Sequence, residues 1–391
     1  MRLCKNGWVQ TYLEYTSKQE SPECFHVWSA LSVIAGALSR KCWVDRGYFK
    51  TYPNQYVLLV SQSALCKKGT AAEIALGIYN SAFPDLHVID RKLTMQKLIS
   101  NLALAKKLTG FSFCYLYNSE LSTLIGRKMG NTELMDYITA MYTCPDKWLY
   151  ETKTQGNDYI EKGFLNFISC TTPTDLNDMP SSLVGGGLSG RVMFVFSETP
   201  RPPEHNPKLH MTMKAINLRE DLVKDLVEIG KISGEYNITP NADALHKEIY
   251  DSNYYKKNTD FRLEPYRGRK GEHLIKVAML LSASRGDNLL IEMCDMEAAN
   301  SYLEELEKGT LSAFDGLGHV SETQHLERVL KYIREERGSI QHSLLLRKMY
   351  RFTNAKGLED IMNTLSEGAD IKIEIIRGVK YYSIIEKKGG K

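Results

Sequence analysis

The stretch YVLLVSQSALCKKGTA, residues 56–71, constrains this chain more than any other. Its opening run, YVLLV, is too short for a helix core and reads as a strand buried on both faces, the mark of a parallel sheet. Small polar residues follow, then two lysines, a glycine and a threonine, and then AEIALGIY, which predicts a helix. Strand, tight turn, lysine, hydroxyl, helix is the order of a loop that wraps a phosphate. In such a loop backbone N–H groups converge on the oxygens, a helix N-terminus points its positive end at them, and a lysine reaches the outer phosphates. The usual glycines are replaced by Ser61, Ser63, Ala64 and Cys66, with Gly69 on the far side of the lysines. Small side chains tolerate the required backbone at a strain of ~1 kcal/mol or more per residue. An ordinary strand–turn–helix unit with two solvated lysines is the competing reading.

The rest of the chain fits the same architecture. Residues 8–42 read as helical, and their second half, FHVWSALSVIAGALSRKCWV, is apolar on nearly every side, as in a buried helix. After the loop come a helix to about Tyr79, a strand at HVID (87–90) and a helix from Thr94 to Lys107. GFSFCYLYNSEL gives a second strand ending at Asn118, Ser119 and Glu120. A helix near NTELMDYITAMY, a third strand in GFLNFISCTTP and a fourth in RVMFVF after a glycine-rich loop complete the alternation. Strands that alternate with helices and end in polar residues predict an α/β doubly wound parallel sheet with ligands beyond the strand C-termini. The expected organisation is an N-terminal helical segment (1–50), a core (51–210), a helical extension (211–315) and a tail (322–391). Three amphipathic helices and two short strands around Arg377-Gly378 give that tail the plan of a winged helix-turn-helix, a fold that docks helices on DNA.

The totals exclude several classes. The chain of 391 residues is 43% hydrophobic and 25% charged, as expected of a soluble protein with a real core. No apolar run approaches the ~20 residues of a membrane span, and MRLCKNGWVQTYLEY is not read as a signal peptide. Eight cysteines lie far apart without a CxxC pair, which predicts a reducing cytoplasm, no membrane association and no structural metal. Net charge is +3, yet from His325 to Lys391 fourteen Lys and Arg face nine Asp and Glu. That local surplus suits a polyanion. His342, Arg347, Lys348 and Arg351 on the second tail helix, with Arg377 and Lys380 on the wing, are the candidate DNA contacts. A protein-docking winged helix is the alternative.

Several segments together resemble a known family: SPECFHVWSALSVIAGALSRKCWV, SQSALCKKGTA, the Glu120 strand with ELSTLIG, YTCPDKWLYETKTQG, and FISCTTPTDLNDMP followed by GGGLSGRVMFVFSE. They are similar to an uncharacterised family of P-loop ATPases of phages, plasmids and genomic islands, described as replicative or primase-associated helicases. The resemblance implies a RecA/AAA-like P-loop core with a C-terminal winged helix, ATP and Mg²⁺ as cofactors, DNA as partner, and a homo-oligomeric ring, with six subunits as one option. It assigns Lys68 to the phosphates, with Lys67 as alternative, and Thr70 to Mg²⁺, since the other candidate, Gly69, has no hydroxyl. It assigns Glu120 to catalysis and to the metal through water, Thr171 and Thr172 to sensing the γ-phosphate, and Arg191 to a phosphate in the neighbouring subunit's site. A surface ion pair is the competing reading for Arg191, and a plain strand end for the threonines. Arg269 and Lys276 read as a solvated helix face or a second trans-acting pair. The expected activity is a DNA-dependent ATPase, a helicase or helicase-like motor working beside a primase or other replication proteins. A catalytically weak or inactive initiator or helicase loader is the runner-up, and a nucleotide-binding regulatory or defence module comes third.

Overall fold

Four strands, β3 (Tyr56–Val60), β4 (Phe113–Asn118), β7 (Phe164–Thr171) and β8 (Met193–Phe196), form an all-parallel sheet in the order β4–β7–β3–β8. The register is fixed by Val57↔Ile168, Val57↔Met193 and Asn118↔Ser169. Ile89 adds a parallel bridge to Leu116, outside β4. All five residues of β3 and all eight of β7 are buried, as a doubly covered parallel sheet requires. In this computed structural model the described residues are 2–86, 88–89, 94–125, 132–152, 156–177, 187–254, 263–336, 338–350 and 355–385.

Side chains alternate across the sheet, as strand geometry dictates. Val57, Leu59, Ile168, Cys170, Met193 and Val195 share one core with α1 (Trp8–Tyr15), α2 (Glu23–Leu38) and α3 (Lys68–Ala82). Leu58, Phe167 and Phe194 turn the other way, toward α5 (Leu121–Ile125) and α6 (Thr132–Met141). Between the two runs α4 (Met95–Thr109), which is N-capped by the Thr94 side chain. The chain thus leaves β3 on one face and returns on the other, so the β3 C-terminus sits where connections diverge.

The N-terminal region is helical in two parts. It breaks after Tyr15, restarts behind Pro22, and ends where Ser39 takes a φ of 52° and hands over to β1 (Cys42–Asp45), which pairs with β2 (Lys50–Thr51). Helix α2 is buried from Phe25 to Leu38. Its Gly36 permits this contact, because an added Cβ would lie 2.9 Å from the Tyr115 ring. Ser32 bonds the Tyr115 hydroxyl at 2.7 Å, and Asn166 Nδ2 donates to the Ser32 carbonyl at 2.8 Å. A helix apolar on all sides must be covered on all sides, and here the helical extension does part of that work. Leu226 of helix Met213–Ile229, Leu274 of Lys270–Arg285 and Leu303 of Met293–Glu335 belong to the same core as Trp8 and Tyr79. Residues assigned from sequence to three segments therefore form one compact unit, Met1–Ala313.

The second unit is Phe314–Lys391. Its core joins Val329 and Ile333 to Ile340, Leu345, Leu358, Met362 and Tyr382. The sequence reading lacked the strand Ser339–Gln341, which completes a three-stranded antiparallel sheet with Ile371–Ile376 and Val379–Ile384. The second tail helix is correspondingly short, His342–Met349, and the third is Ala355–Glu367.

Candidate functional site

The loop after β3 lies at the C-terminal edge of the sheet, bracketed by the tips of both neighbouring strands. Ser61 is buried and its N–H donates to the Thr171 carbonyl at 3.4 Å. Buried Cys66 donates its thiol to the Ser197 carbonyl at 3.5 Å. Ser63, Ala64 and Leu65 between them are exposed. Two residues take left-handed backbone, Ala64 (φ 61°) and Lys67 (φ 48°). A turn of this kind needs positive φ, and without glycine the chain places two ordinary side chains there against a cost of ~1–2 kcal/mol each.

Helix α3 begins at Lys68, and no side chain caps its N-terminus. Its first-turn N–H groups face the loop with their positive dipole end. The two lysines part company. Lys68 Nζ folds back onto the loop and donates to the carbonyls of Ser61 (2.6 Å) and Gln62 (3.1 Å). Burial lowers its pKa, opposed by the nearby Cys170, Cys66 and Asp175. Lys67 instead faces Glu20 at 3.7 Å, and its carbonyl accepts from Ser21 Oγ at 3.1 Å. Of the two lysines it is Lys68 whose ammonium turns onto the loop.

Thr70 does not share that side of the helix. With Glu20, Lys67 and Glu204 it lines a separate cavity of about 240 Å³. Gly69, the residue after Lys68, is the one whose missing side chain would approach the Tyr117 hydroxyl (3.7 Å) and Glu73 Oε1 (3.9 Å). Those two groups bond each other at 3.2 Å. The hydroxyl expected for Mg²⁺ therefore falls one position late, a shift of ~100° around the helix.

Glu120 is exposed at the end of β4. The Asn118 side chain shapes the turn, accepting from Glu120 N at 2.9 Å and Thr123 Oγ1 at 3.0 Å. Because β7 lies between β3 and β4, the strands that lead to Glu120 and to the lysine loop run about 10 Å apart. Thr171 is buried beside Val60. Thr172 accepts from Asp175 N at 3.1 Å, capping the short helix α7 (Pro173–Asn177). Sequence reasoning missed Asp175, a carboxylate held close to Lys68. Its only signal was the position of PTD directly after the TT pair. Among the described residues no cluster of three or more His, Cys, Asp or Glu could hold a metal ion by itself.

Arg191 lies at the opposite edge. It ends the turn Ser189–Arg191 that feeds β8, level with the start of β3. Its guanidinium bonds the Gly187 carbonyl and stands 5.9 Å from the Tyr142 ring, and Nε is buried without a partner. Lys276, expected on a solvated face, is buried there too. It bonds Asn54 Oδ1 at 2.7 Å, pairs with Glu272 at 3.5 Å and sits 3.8 Å over the Tyr142 ring. Arg269 also pairs with Glu272, at 3.1 Å. Burial lowers the pKa of both Lys276 and Arg191. His273 is pushed down to about 4 by burial, and bonds the Tyr142 hydroxyl (3.1 Å) and the Gly190 carbonyl (2.9 Å).

In the second unit, Lys348 is paired with Glu336 at 2.8 Å, and His342 Nδ1 meets the Tyr382 hydroxyl at 2.8 Å. Lys380 stacks 5.7 Å from the Tyr382 ring. Arg347 and Arg377 are exposed, Arg377 at the turn of the last hairpin with φ 51°. Arg351 lies outside the described residues. The helix that follows, Ala355–Glu367, carries Lys356 beside three carboxylates, Glu359, Asp360 and Glu367. The hairpin Ile371–Ile384 also exposes Ile375 and Ile376. No family model matches this chain, and no match to it is found among curated proteins.

Proposed function

We propose that this chain is a DNA-dependent ATPase with a P-loop core, a helicase or helicase-like motor of a mobile element that works as a ring beside other replication proteins. The observation that carries the reading is the uncapped N-terminus of α3 beside Lys68, at the C-terminal edge of an interior parallel strand. N–H groups, dipole and ammonium all converge there on one anionic ligand. The residues fit the phosphates of ATP. For Mg²⁺ the fit moves from Thr70 to the carboxylates at the same edge, Asp175 and Glu120.

In this reading ATP with Mg²⁺ supplies the phosphoryl group, and the protein supplies position and charge. The first-turn amides of α3 and Lys68 hold the outer phosphates, and Lys68 exchanges its loop carbonyls for them. Glu120, across the edge, orients and deprotonates water. Arg191 lies at the other end of the strands from Lys68 of its own chain, so a role on phosphate assigns it to a neighbour's site, which makes a ring the natural assembly.

The second reading is a nucleotide clamp without turnover, serving an initiator or loader. It is favoured by Gly69, which supplies no Mg²⁺ hydroxyl, and by Ser119, which stands before Glu120 where the strand end of such ATPases carries an aspartate. Equilibrium ATP binding and ATP hydrolysis, each with and without single-stranded DNA, separate the two. Turnover that DNA stimulates and Lys68→Ala abolishes supports the motor. Binding without turnover supports the clamp. Nucleotide binding that survives Lys68→Ala unchanged ends both.

A further inference from the structure

In the sheet of the second unit Val379–Ile384 lies in the middle, flanked by Ser339–Gln341 on one side and Ile371–Ile376 on the other. The register of the last hairpin is fixed by Ile371↔Ile384, Ile373↔Tyr382 and Ile375↔Lys380. Just before it, the Ile385 N–H donates to the Asp370 carbonyl at 3.0 Å. Bonded and non-bonded pairs alternate along an antiparallel ladder. Lys372, Glu374 and Ile376 therefore turn their N–H and C=O groups toward the middle strand. Those of Ile371, Ile373 and Ile375 point the other way, and no described strand pairs with them.

Side chains of this edge strand fall in two rows. Ile371 is buried and Ile373 half-buried against the tail core, whereas Ile375, in the same row, is 73% exposed. The second row holds Lys372 and Glu374, paired at 2.7 Å with their side chains 65% and 40% exposed. An open edge is a template for another strand, and a lysine commonly guards it. Lysine and glutamate two residues apart do something else, because the pattern is complementary to its own reverse. Two copies related by a two-fold axis pair antiparallel, with outward residues meeting outward residues. An axis at position 372 sets Lys372 against its own copy, and an axis at 374 does the same to Glu374. An axis at Ile373 engages all three outward residues in three pairs, each exchanging two hydrogen bonds. It also sets Lys372 opposite Glu374 of the second copy, twice over, and lays the exposed Ile375 across from Ile371. Axes nearer either end overlap less of the strand.

We infer that Ile371–Ile376 is an interface at which a second copy of this chain adds its own strand, antiparallel about Ile373. Two three-stranded sheets then become one of six strands. The interface goes beyond the motor reading and needs neither ATP nor DNA.

The test is sedimentation velocity on the full chain, without nucleotide or DNA, over a series of concentrations. The contact is small, so the parent should pass from monomer to dimer as concentration rises. Lys372→Glu sets glutamate against glutamate, and Glu374→Lys sets lysine against lysine. Both side chains are exposed, so each variant should fold as the parent does. Each should associate about tenfold or more weakly, since two opposed like-charge pairs replace two attractive ones. An equal mixture of the two variants should dimerise again, as should the chain that carries both exchanges. Equal association in the parent and all variants overturns the proposal and places the contact elsewhere. Loss in the single variants that neither the mixture nor the double exchange restores overturns it too. So does a parent that stays monomeric at every concentration, which would leave the edge guarded by Lys372 or open to another protein's strand. None of these outcomes bears on ATP binding, which Lys68→Ala decides separately.

Discussion

Gly69 shows how one residue sets what the loop can do. It follows Lys68 inside a helix, so any side chain fits its backbone, and the nearest atoms to an added Cβ are at 3.7 and 3.9 Å. Gly69→Ser should fold at least as well as the parent, since serine is better than glycine in a helix by a few tenths of a kcal/mol. It would place a hydroxyl beside Lys68, and Mg²⁺-dependent hydrolysis should rise. A variant with unchanged stability and unchanged or lower turnover would show that a missing hydroxyl does not limit the site. His273 makes a second prediction. Burial holds its folded pKa at about 4 against an ordinary 6.5. The unfolded chain therefore takes up a proton first as pH falls. The stability contributed by the neutral ring is complete above pH 6.5 and declines toward pH 4 by up to about 1.4 kcal/mol per unit. His26, buried and lowered to about 3, acts in the same direction. His273→Phe should be less stable at pH 7.5, having lost bonds to Gly190 and Tyr142, yet decline less steeply in urea melts at pH 7.5, 6 and 5. Equal slopes would remove the assignment.

The parallel strands were legible at the scale of elements because their burial pattern is written in unbroken apolar runs, YVLLV above all. The hairpin of β5 (Lys147–Thr152) with β6 (Gly156–Glu161) was not, since WLYETKTQGNDYIE mixes charges and its turn-type dipeptide, Gly156-Asn157, opens the second strand instead of joining the two. Lys276 misled for a related reason. A lysine in a helix reads as solvated, and only the fold reveals Asn54, Glu272 and the Tyr142 ring around it. Position was legible where a residue follows a strand end, so Lys68 and Glu120 do lie at the C-terminal edge of the sheet. The face that Thr70 takes was not legible, because a helix turns ~100° per residue and a one-residue uncertainty in the loop changes the face. The glycine-rich stretch before β8 carries a structural constraint apart from any catalysis. A Cβ on Gly190 would stand 2.4 Å from the Pro265 carbonyl oxygen, a backbone atom that cannot swing aside. Gly190→Ala should force the turn off helix Glu264–Arg267 and cost several kcal/mol, comparable to overpacking a core. A thermal melt within a degree or two of the parent would show that this contact yields freely.

For the whole molecule, the decisive fact is that Lys68 and Arg191 sit at opposite edges of one sheet. The loop follows Val60, whereas Arg191 precedes Met193, which pairs with Val57 at the other end of the strand. One chain cannot bring both to the same phosphate, so a finger role for Arg191 demands a second chain, while a purely structural role demands none. These alternatives differ in a mixing experiment. Lys68→Ala and Arg191→Ala should each be nearly inactive alone, with Arg191→Ala still binding ATP, because an arginine in trans acts mainly on turnover. Mixed in equal amounts, the two should form some interfaces that pair an intact Lys68 with an intact Arg191, about one in four if subunits assort freely. Activity should therefore reappear on mixing, rise with protein concentration as the assembly forms, and be lost again when both substitutions are carried on the same chain. Silence across every mixing ratio, with both proteins folded and Arg191→Ala still binding ATP, would confine Arg191 to the packing around Tyr142 and leave the ring without a structural argument.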